Sequence, residues 1–307
     1  MRIAVVGSGG VGGYFGGRLA AAGSEVSFLA RGAHLEALRS RGLRIHSPLG
    51  DLQLPQVHAT DDPYSIGPVD VAFFTVKLYD TDSGLMLLPP LIGADTVVVP
   101  FQNGVDSVER LMGAVGAAHT AGGTAYVAAV VAEPGVIRHT ANARLTFGEL
   151  DGSRSDRLSR LQEACGAAGF SAKLSERIDV DIWKKFVWLS MFSAVTAVTR
   201  LPIGPIREDP DLLALCQAAA MESMAIAHAK GVQLPLAVFD ELVPGLHTLP
   251  PGAKSSMLED LERGRPLELQ WLSGTVVRLG EALGVPTPVH RFVTTVLAPH
   301  AAGRQTP

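Results

Sequence analysis

Six residues near the start of the chain, from Gly7 to Gly12, form a complete Gly-x-Gly-x-x-Gly motif. The apolar run before it, residues 3–6, predicts a buried strand, and the segment after it, residues 13–22, predicts a helix. In that setting the glycines permit a tight turn, close approach of a pyrophosphate and close packing of helix on strand, and the helix N-terminus favours the anion. The alternative is a purely structural turn. The predicted dinucleotide site consists of Gly7, Ser8, Gly9, Gly10, Val11 and Gly12.

The end of the next predicted strand, residues 25–29, indicates which dinucleotide is expected. NAD-binding chains usually place an acidic residue there, which binds the ribose 2′-hydroxyl. This chain has Ala30 and Arg31 instead, and a guanidinium can hold a 2′-phosphate with several donors. No acidic residue is expected near Arg31 to repel the phosphate, so the sequence predicts NADP(H) in preference to NAD or FAD.

Further short motifs follow in a fixed order along the chain. They are Thr-Val-Lys at 75–77, Gln-Asn-Gly-Val at 102–105, Trp-Lys-Lys at 183–185, Ser-Ser-Met-Leu at 255–258, and Glu268. Together with the glycine loop, and from Met1 to about residue 295, this series resembles the ketopantoate reductase (2-dehydropantoate 2-reductase) family. The resemblance implies NADPH-dependent reduction of a 2-oxo acid to a 2-hydroxy acid, with 2-dehydropantoate in pantothenate biosynthesis as the first expectation.

The resemblance also implies a role for individual residues. Lys185 corresponds to the catalytic lysine of the family and Glu268 to its acidic partner. Asn103 corresponds to an asparagine near the nicotinamide and the substrate, Lys77 to a lysine that helps to hold the cofactor, and Ser256 to a serine that contacts the substrate. Three of these residues also have a simpler interpretation: Lys185 as a surface lysine, Glu268 as a solvated acid at a helix start, and Asn103 as the turn residue of an Asn-Gly pair.

These residue types suit the chemistry. Hydride transfer to a ketone builds negative charge on its oxygen, and a neighbouring ammonium stabilises that charge and can donate the proton. An ordinary lysine has a pKa of about 10.4; burial would lower the pKa and a nearby carboxylate would raise it. We therefore interpret Glu268 as an orienting partner. Lys184 and Lys185 point about 100° apart on a helix, so only one of them can face the site.

Several positions depart from the family pattern, because polar residues of typical members are replaced by apolar or shorter ones. The positions are Leu189, Ser193, Ala253, Gln270 and Ser273. Ser193 keeps a hydroxyl and remains a predicted substrate-binding residue. These changes favour a larger or more apolar 2-oxo acid, and the alternative is an unaltered substrate.

Two other functions compete with this one. A β-hydroxyacid dehydrogenase would normally carry an asparagine four residues after the lysine and glycines before it, whereas this chain has Leu189 and the sequence Asp-Ile-Trp at 181–183. A non-catalytic NADP-binding sensor would not need both Lys185 and Glu268.

The elements that must position these residues change in type along the chain. Strands and helices alternate as far as about residue 175, with further strands predicted at 69–75, 96–100, 119–130 and 170–173, a hairpin of 135–139 with 144–148, and a helix at 154–168. From there on only helices are predicted, at 176–199, 211–230, 236–242, 253–263, 267–283 and 289–298. The prediction is an α/β fold: an N-terminal Rossmann-type, NADP-binding domain (1–175) and an all-helical substrate and dimerisation domain (176–307).

Composition excludes several partners. The 26 basic and 30 acidic residues give a net charge of −4, which argues against nucleic acid. The longest apolar run, residues 186–198, is shorter than the roughly 20 residues of a membrane span. The nine histidines lack metal-ligand spacing, so no metal is expected. Two cysteines without a CxxC pattern and a start without a secretory pattern favour the cytoplasm, and a homodimer is left open.

Overall fold

Strands and helices alternate in the first part of this computed structural model, which describes residues 1–304, and the last part is helical. The strands are β1 (Arg2–Val6), β2 (Glu25–Leu29), β3 (Leu43–His46), β4 (Leu52–Leu54), β5 (His58–Thr60), β6 (Val71–Phe74), β7 (Val97–Pro100), β8 (Gly122–Glu133), β9 (Val136–Gly148) and β10 (Ser171–Leu174). The helices are α1 (Gly10–Ala21), α2 (Gly32–Arg41), α3 (Thr81–Leu85), α4 (Ser107–Val115), α5 (Asp156–Ala167), α6 (Ile178–Thr199), α7 (Ile203–Glu208), α8 (Pro210–Ala229), α9 (Ala237–Asp240), α10 (Leu242–Thr248), α11 (Ser256–Glu262), α12 (Ser273–Leu283) and α13 (Pro288–Leu297).

The first sheet is parallel, with the strand order β5-β2-β1-β6-β7. Alternate residues of β1 face opposite sides: Ile3 and Val5 belong to one buried apolar cluster, Ala4 and Val6 to another. Each face of the strand therefore has its own core, as expected for a parallel sheet covered on both sides. In this strand order the chain reverses direction across the sheet at β1 and β6, which is where ligands bind in open α/β sheets.

A second sheet has the order β10-β9-β3-β4, and β8 pairs antiparallel with β9. The predicted hairpin of residues 135–139 with 144–148 is wrong, because both segments belong to the continuous strand β9. The register between β8 and β9 shifts at Val127 and Ala128, and Asn142 has a φ of +56° there. This bulge carries polar residues in mid-strand, which makes one strand resemble two in the sequence.

The chain folds into two compact units, residues 1–102 with 106–181, and residues 103–105 with 182 onward. The predicted fold class, a Rossmann-type α/β part followed by a helical part, is confirmed. The described residues after Leu174 contain no strand. The functions assigned to residues 1–175 and 176–307 stay predictions.

One described helix, α8, is long and apolar enough to cross a membrane by length and composition alone. Its buried face includes Cys216, Ala219 and Ile226, as in a core helix of a globular fold, so this is weak evidence for a membrane span. Burial raises the pKa of Cys165 and of Cys216 to about 12, so both thiols are protonated and unreactive at neutral pH.

Candidate active site

Three of the four glycines in the motif from Gly7 to Gly12, which spans the turn after β1 and the start of α1, are required by packing. Gly7 has a φ of +99°, and a Cβ there would lie 2.6 Å from the backbone nitrogen of Val76. A Cβ on Gly10 would collide with the carbonyl of Ala129, and one on Gly12 with the carbonyl of Gly7. The fold itself therefore requires glycine at these positions.

Gly9 is different, because nothing in the fold demands a glycine there. It is the N-cap residue of α1 with a φ of −71°, and a Cβ at this position would meet no atom within 4 Å. No side chain caps the helix at Gly9, and the first turn of α1 contains no acidic residue. Open space thus lies in front of uncapped N–H groups, which fits a pyrophosphate resting on the helix N-terminus.

Hydrogen bonds to β2 and α2 fix the position of the glycine loop. The amides of Gly7 and Ser8 both donate to the carbonyl of Leu29, at 3.3 and 3.2 Å, and the Ser8 hydroxyl donates to the same oxygen at 2.9 Å. His34 Nδ1 accepts from the amide of Gly135, so Nε2 carries the proton and donates to the Ser8 carbonyl at 2.9 Å. Burial lowers the pKa of His34, which favours this neutral tautomer. Sequence reasoning missed His34, since only tertiary contact reveals its role.

Val11 is half-buried and packs against the apolar cluster under the sheet. Lys77 is exposed and directly precedes a 3₁₀ turn, Leu78–Asp80, that follows β6. Neither position contradicts the predicted cofactor role, which stays a prediction for both residues.

Arg31 lies at the N-cap of α2, two residues after the end of β2, and its side chain is 76% exposed. Its Nη2 donates to Oδ1 of Asp80 at 2.9 Å. The expectation that no acid lies near Arg31 is therefore wrong. Asp80 is 49 residues away in sequence and reaches Arg31 from the turn after β6, so the residues around β2 give no sign of it.

The second unit brings the two predicted catalytic residues, Lys185 and Glu268, together with Asn103. Lys185, in the second turn of α6, donates from Nζ to Oδ1 of Asn103 at 3.0 Å. Asn103 in turn donates from Nδ2 to Oε2 of Glu268 at 3.2 Å. Because an ammonium only donates and a carboxylate only accepts, the two partners fix the orientation of the Asn103 amide.

Lys184 takes no part in this cluster. Its Nζ donates to Oε2 of Glu241 at 2.8 Å on the surface, with nearly half of the lysine side chain exposed. The 100° step between adjacent helix residues separates the two lysines, and it leaves Lys185 half-buried beside Asn103.

The surroundings of Lys185 act on its pKa in opposite directions. Burial disfavours the charged form and lowers the pKa from 10.5 to about 8, although the negative charge of Glu268 raises it. Glu268 is itself only 7% exposed, so its charge is poorly screened by water. A lysine in this setting is still mainly protonated at neutral pH but releases its proton far more readily than an ordinary lysine.

Comparison with known proteins identifies the family of this chain. The family model "Ketopantoate reductase PanE/ApbA" matches residues 3–152, and its C-terminal counterpart matches residues 177–301. The chain belongs to the ketopantoate reductase family.

A 2-dehydropantoate 2-reductase of Mesorhizobium japonicum is 33% identical over 309 residues, covering 94% of each chain. A 2-dehydropantoate 2-reductase of Archaeoglobus fulgidus is 31% identical, covering 96% of each chain. A solved PanE/ApbA family ketopantoate reductase of Ralstonia eutropha is 32% identical, with a TM-score of 0.90 over 98% of both chains.

As a ketopantoate reductase family member, the chain is a dinucleotide-dependent oxidoreductase. The two serines predicted to contact the substrate differ in exposure. Ser193 is fully buried, and its hydroxyl has no hydrogen-bond partner among the described residues. Ser256 is exposed at the start of α11, directly after Ser255, which caps that helix and hydrogen-bonds Thr196 at 2.7 Å. Substrate contact by Ser193 and Ser256 stays a prediction.

The other positions that depart from the family pattern present few polar groups to a substrate. Leu189 and Ala253 are half-buried, and Gln270 is exposed. Ser273 is fully buried, and its hydroxyl lies 3.1 Å from Nδ1 of the buried His290. The hydroxyl of Ser273 is thus already used within the helical core.

Proposed function

We propose that this protein reduces a 2-oxo acid to a 2-hydroxy acid with NADPH, and that the substrate is 2-dehydropantoate, which becomes pantoate in pantothenate biosynthesis. The observation that carries the proposal is the hydrogen-bonded series Lys185, Asn103 and Glu268. The names of the relatives that match the whole chain at about 30% identity support the choice of substrate.

Lys185 is the proton donor in this proposal. A bound reduced nicotinamide supplies the hydride that the carbonyl carbon accepts. As the carbonyl oxygen gains negative charge, the Lys185 ammonium stabilises it and transfers a proton to it, so the product carries a hydroxyl. Lys185 then regains a proton from solvent. Its pKa of about 8 suits both steps near neutral pH.

Asn103 and Glu268 hold that donor in place. Asn103 accepts from the ammonium and is anchored by Glu268, which leaves the amide no freedom to turn its Nδ2 towards the lysine. We assign the cofactor to the glycine loop Gly7–Gly12 together with Arg31, Lys77 and Asn103. The open space at Gly9 and the uncapped start of α1 support this assignment.

A second candidate is reduction of a more apolar 2-oxo acid. It is favoured by the burial of Ser193 and by the use of the Ser273 hydroxyl within the core, because both reduce the polar groups offered to a substrate hydroxyl. Leu189, four residues after Lys185 on α6, adds apolar surface in the same region of the helix.

The test is oxidation of NADPH, followed by absorbance, with a panel of 2-oxo and 3-oxo acids. We expect turnover with 2-oxo acids and little with 3-oxo acids. Preference for a 3-oxo acid would favour a β-hydroxyacid dehydrogenase instead. Cofactor binding with no turnover of any acid would favour a sensor. Cytoplasmic location and a homodimer stay part of the proposal, the former supported by the two buried free cysteines.

A further inference from the structure

We propose that Asp80 is a specificity-determining residue for the cofactor, and that its carboxylate reduces the preference for NADPH over NADH that Arg31 alone would give. This inference rests on the proposed function, because it requires a nicotinamide dinucleotide at the glycine loop. It concerns a pair of residues, Arg31 and Asp80, within the first unit.

Asp80 is held firmly where it meets Arg31. The turn that carries it is fixed by Thr81, which donates to the carbonyl of Leu78 at 2.7 Å, and by Gln102, which donates to Thr81 at 3.0 Å and to the carbonyl of Val76 at 2.9 Å. Thr81 and Gln102 are both buried. Asp80 stands at the N-cap of α3 but makes no side-chain capping bond, so its carboxylate serves Arg31 and not the helix.

The position of the pair matters because of where Arg31 lies. The amide of Ala30 donates to the carbonyl of Thr60 at 3.1 Å, which fixes the end of β2 just before Arg31. This strand end is where a Rossmann-type domain meets the 2′ position of the adenine ribose. In most NAD-binding chains the acid at this location comes from β2 itself. Here the turn after β6 supplies it.

The two cofactors would experience Asp80 differently. Two acceptors bound to one guanidinium, each about 3 Å from a nitrogen, lie within roughly 7 Å of each other. A 2′-phosphate held by Arg31 would therefore be repelled by the Asp80 carboxylate. The 2′-hydroxyl of NADH carries no charge and can donate to that carboxylate. Asp80 thus weakens NADPH binding and offers NADH a partner.

The experiment is titration of the full-length protein with NADPH and, separately, with NADH, followed by the fluorescence of the reduced nicotinamide. The variants are Asp80→Asn and Asp80→Ser, and the control is Asp82→Asn. Asp82 carries the same charge two residues away, is 93% exposed and pairs with Arg110 instead of Arg31.

We expect both Asp80 variants to raise the ratio of Kd for NADH to Kd for NADPH by about three- to tenfold. The effect is limited because Asp80 is 26% exposed and Arg31 is 76% exposed, so water screens the charges. Asp82→Asn should change the ratio by less than about twofold. The loss of one exposed ion pair should leave the Tm of each variant close to that of the wild type.

An unchanged or lower ratio in both Asp80 variants, with NADPH still bound by the wild type, would overturn this inference and leave the proposed function standing. Failure of the wild type to bind either nucleotide would overturn both. An equal change in the Asp82→Asn control would show a general charge effect and would also overturn the role of Asp80.

Discussion

The ammonium of Lys185 donates to Oδ1 of Asn103 over 3.0 Å, although 82 residues separate the two in sequence. Asn103 is the third residue after the end of β7, and Lys185 is on α6. A short segment that follows a strand of the parallel sheet therefore positions the donor atom of the lysine. Glu268 completes the arrangement by accepting from the same amide.

Replacement of this lysine should abolish most of the activity. We expect Lys185→Ala to lower kcat by roughly 10² to 10⁴, the usual loss for a general acid, while the Kd for NADPH changes little. Lys184→Ala is the matched control, since Lys184 pairs with Glu241 on the surface and should retain nearly full turnover. A severe loss in Lys184→Ala and a mild one in Lys185→Ala would assign the proton donor to the other lysine.

The pKa of about 8 for Lys185 predicts the pH dependence of reduction. The protonated lysine is the active form, so kcat/KM should be level below about pH 7 and fall as the pH rises through about 8. Glu268 raises this pKa, so Glu268→Gln should move the fall to lower pH. The pH profiles of kcat/KM for both proteins measure this. A fall at the same or a higher pH in the variant would contradict the electrostatic role of Glu268.

Gly9 should be required for the cofactor and not for the fold. In Gly9→Ala the new Cβ meets open space at an ordinary φ, so the free energy of unfolding should stay equal or rise by up to about 1 kcal/mol. The Kd for NADPH should rise at least tenfold, because the Cβ occupies the path of the pyrophosphate. Gly12→Ala is the contrasting variant, which we expect to lose about 1–3 kcal/mol of stability by its collision with the Gly7 carbonyl. Unchanged NADPH affinity in Gly9→Ala would place the pyrophosphate elsewhere.

His290 should make the stability of the protein sensitive to mild acid. It is fully buried, its Nε2 donates to the Ala219 carbonyl at 3.0 Å, and burial lowers its pKa to about 4. An unfolded histidine titrates near about 6.5, so the unfolded state binds more protons between the two values, and stability present above about pH 6.5 is lost as the pH falls towards 4.

From pH 7 to pH 5 this one group should cost about 2 kcal/mol. Urea unfolding at both pH values, in the wild type and in His290→Gln, measures the difference, which should be smaller in the variant by about that amount. His247→Gln removes an exposed histidine of the same unit and serves as the control. An identical pH dependence in the wild type and His290→Gln would show that another group is responsible.

The strands that form the centre of the parallel sheet could be predicted because each is a continuous buried apolar run. β4 and β5 could not, since three residues are too few to show alternation. The strand β9 is long enough to show alternation, but polar residues at its bulge near Asn142 interrupt the pattern. One strand therefore resembles two in the sequence. Local sequence patterns thus reveal regular elements and miss short or irregular ones.

The candidate site shows the same limit. Helix periodicity allows only one of the two adjacent lysines to face the cluster, and the family resemblance selects Lys185. The structure agrees with this choice. Lys184 forms an ion pair with Glu241 at the surface, whereas Lys185 contacts Asn103. The contact of Arg31 with Asp80 depends on the alignment of β2 with the turn after β6. No local pattern encodes it.

The substrate pocket should discriminate poorly for the terminal hydroxyl of ketopantoate. Sites that hydrogen-bond a substrate hydroxyl reject analogues without it by factors of about 10⁴, whereas sites that only fit apolar groups discriminate by roughly tenfold to a hundredfold. The family resemblance implies polar residues where this chain has Leu189 and Ser193, and the Ser193 hydroxyl is fully buried. We therefore expect kcat/KM for ketopantoate to lie within about tenfold of that for its analogue lacking the terminal hydroxyl.

Steady-state rates for both acids at saturating NADPH measure this ratio. The double variant Leu189→Asn with Ser193→Asn places amides at these two positions of α6 and should raise the preference for ketopantoate at least tenfold, because a new amide can pair with the hydroxyl. Lys185 and Glu268 are untouched, so turnover of the analogue reports whether the variant is intact. A thousandfold preference for ketopantoate in the wild type would refute the argument. It would mean that other groups bind the hydroxyl and that Leu189 and Ser193 are neutral replacements in an ordinary ketopantoate reductase.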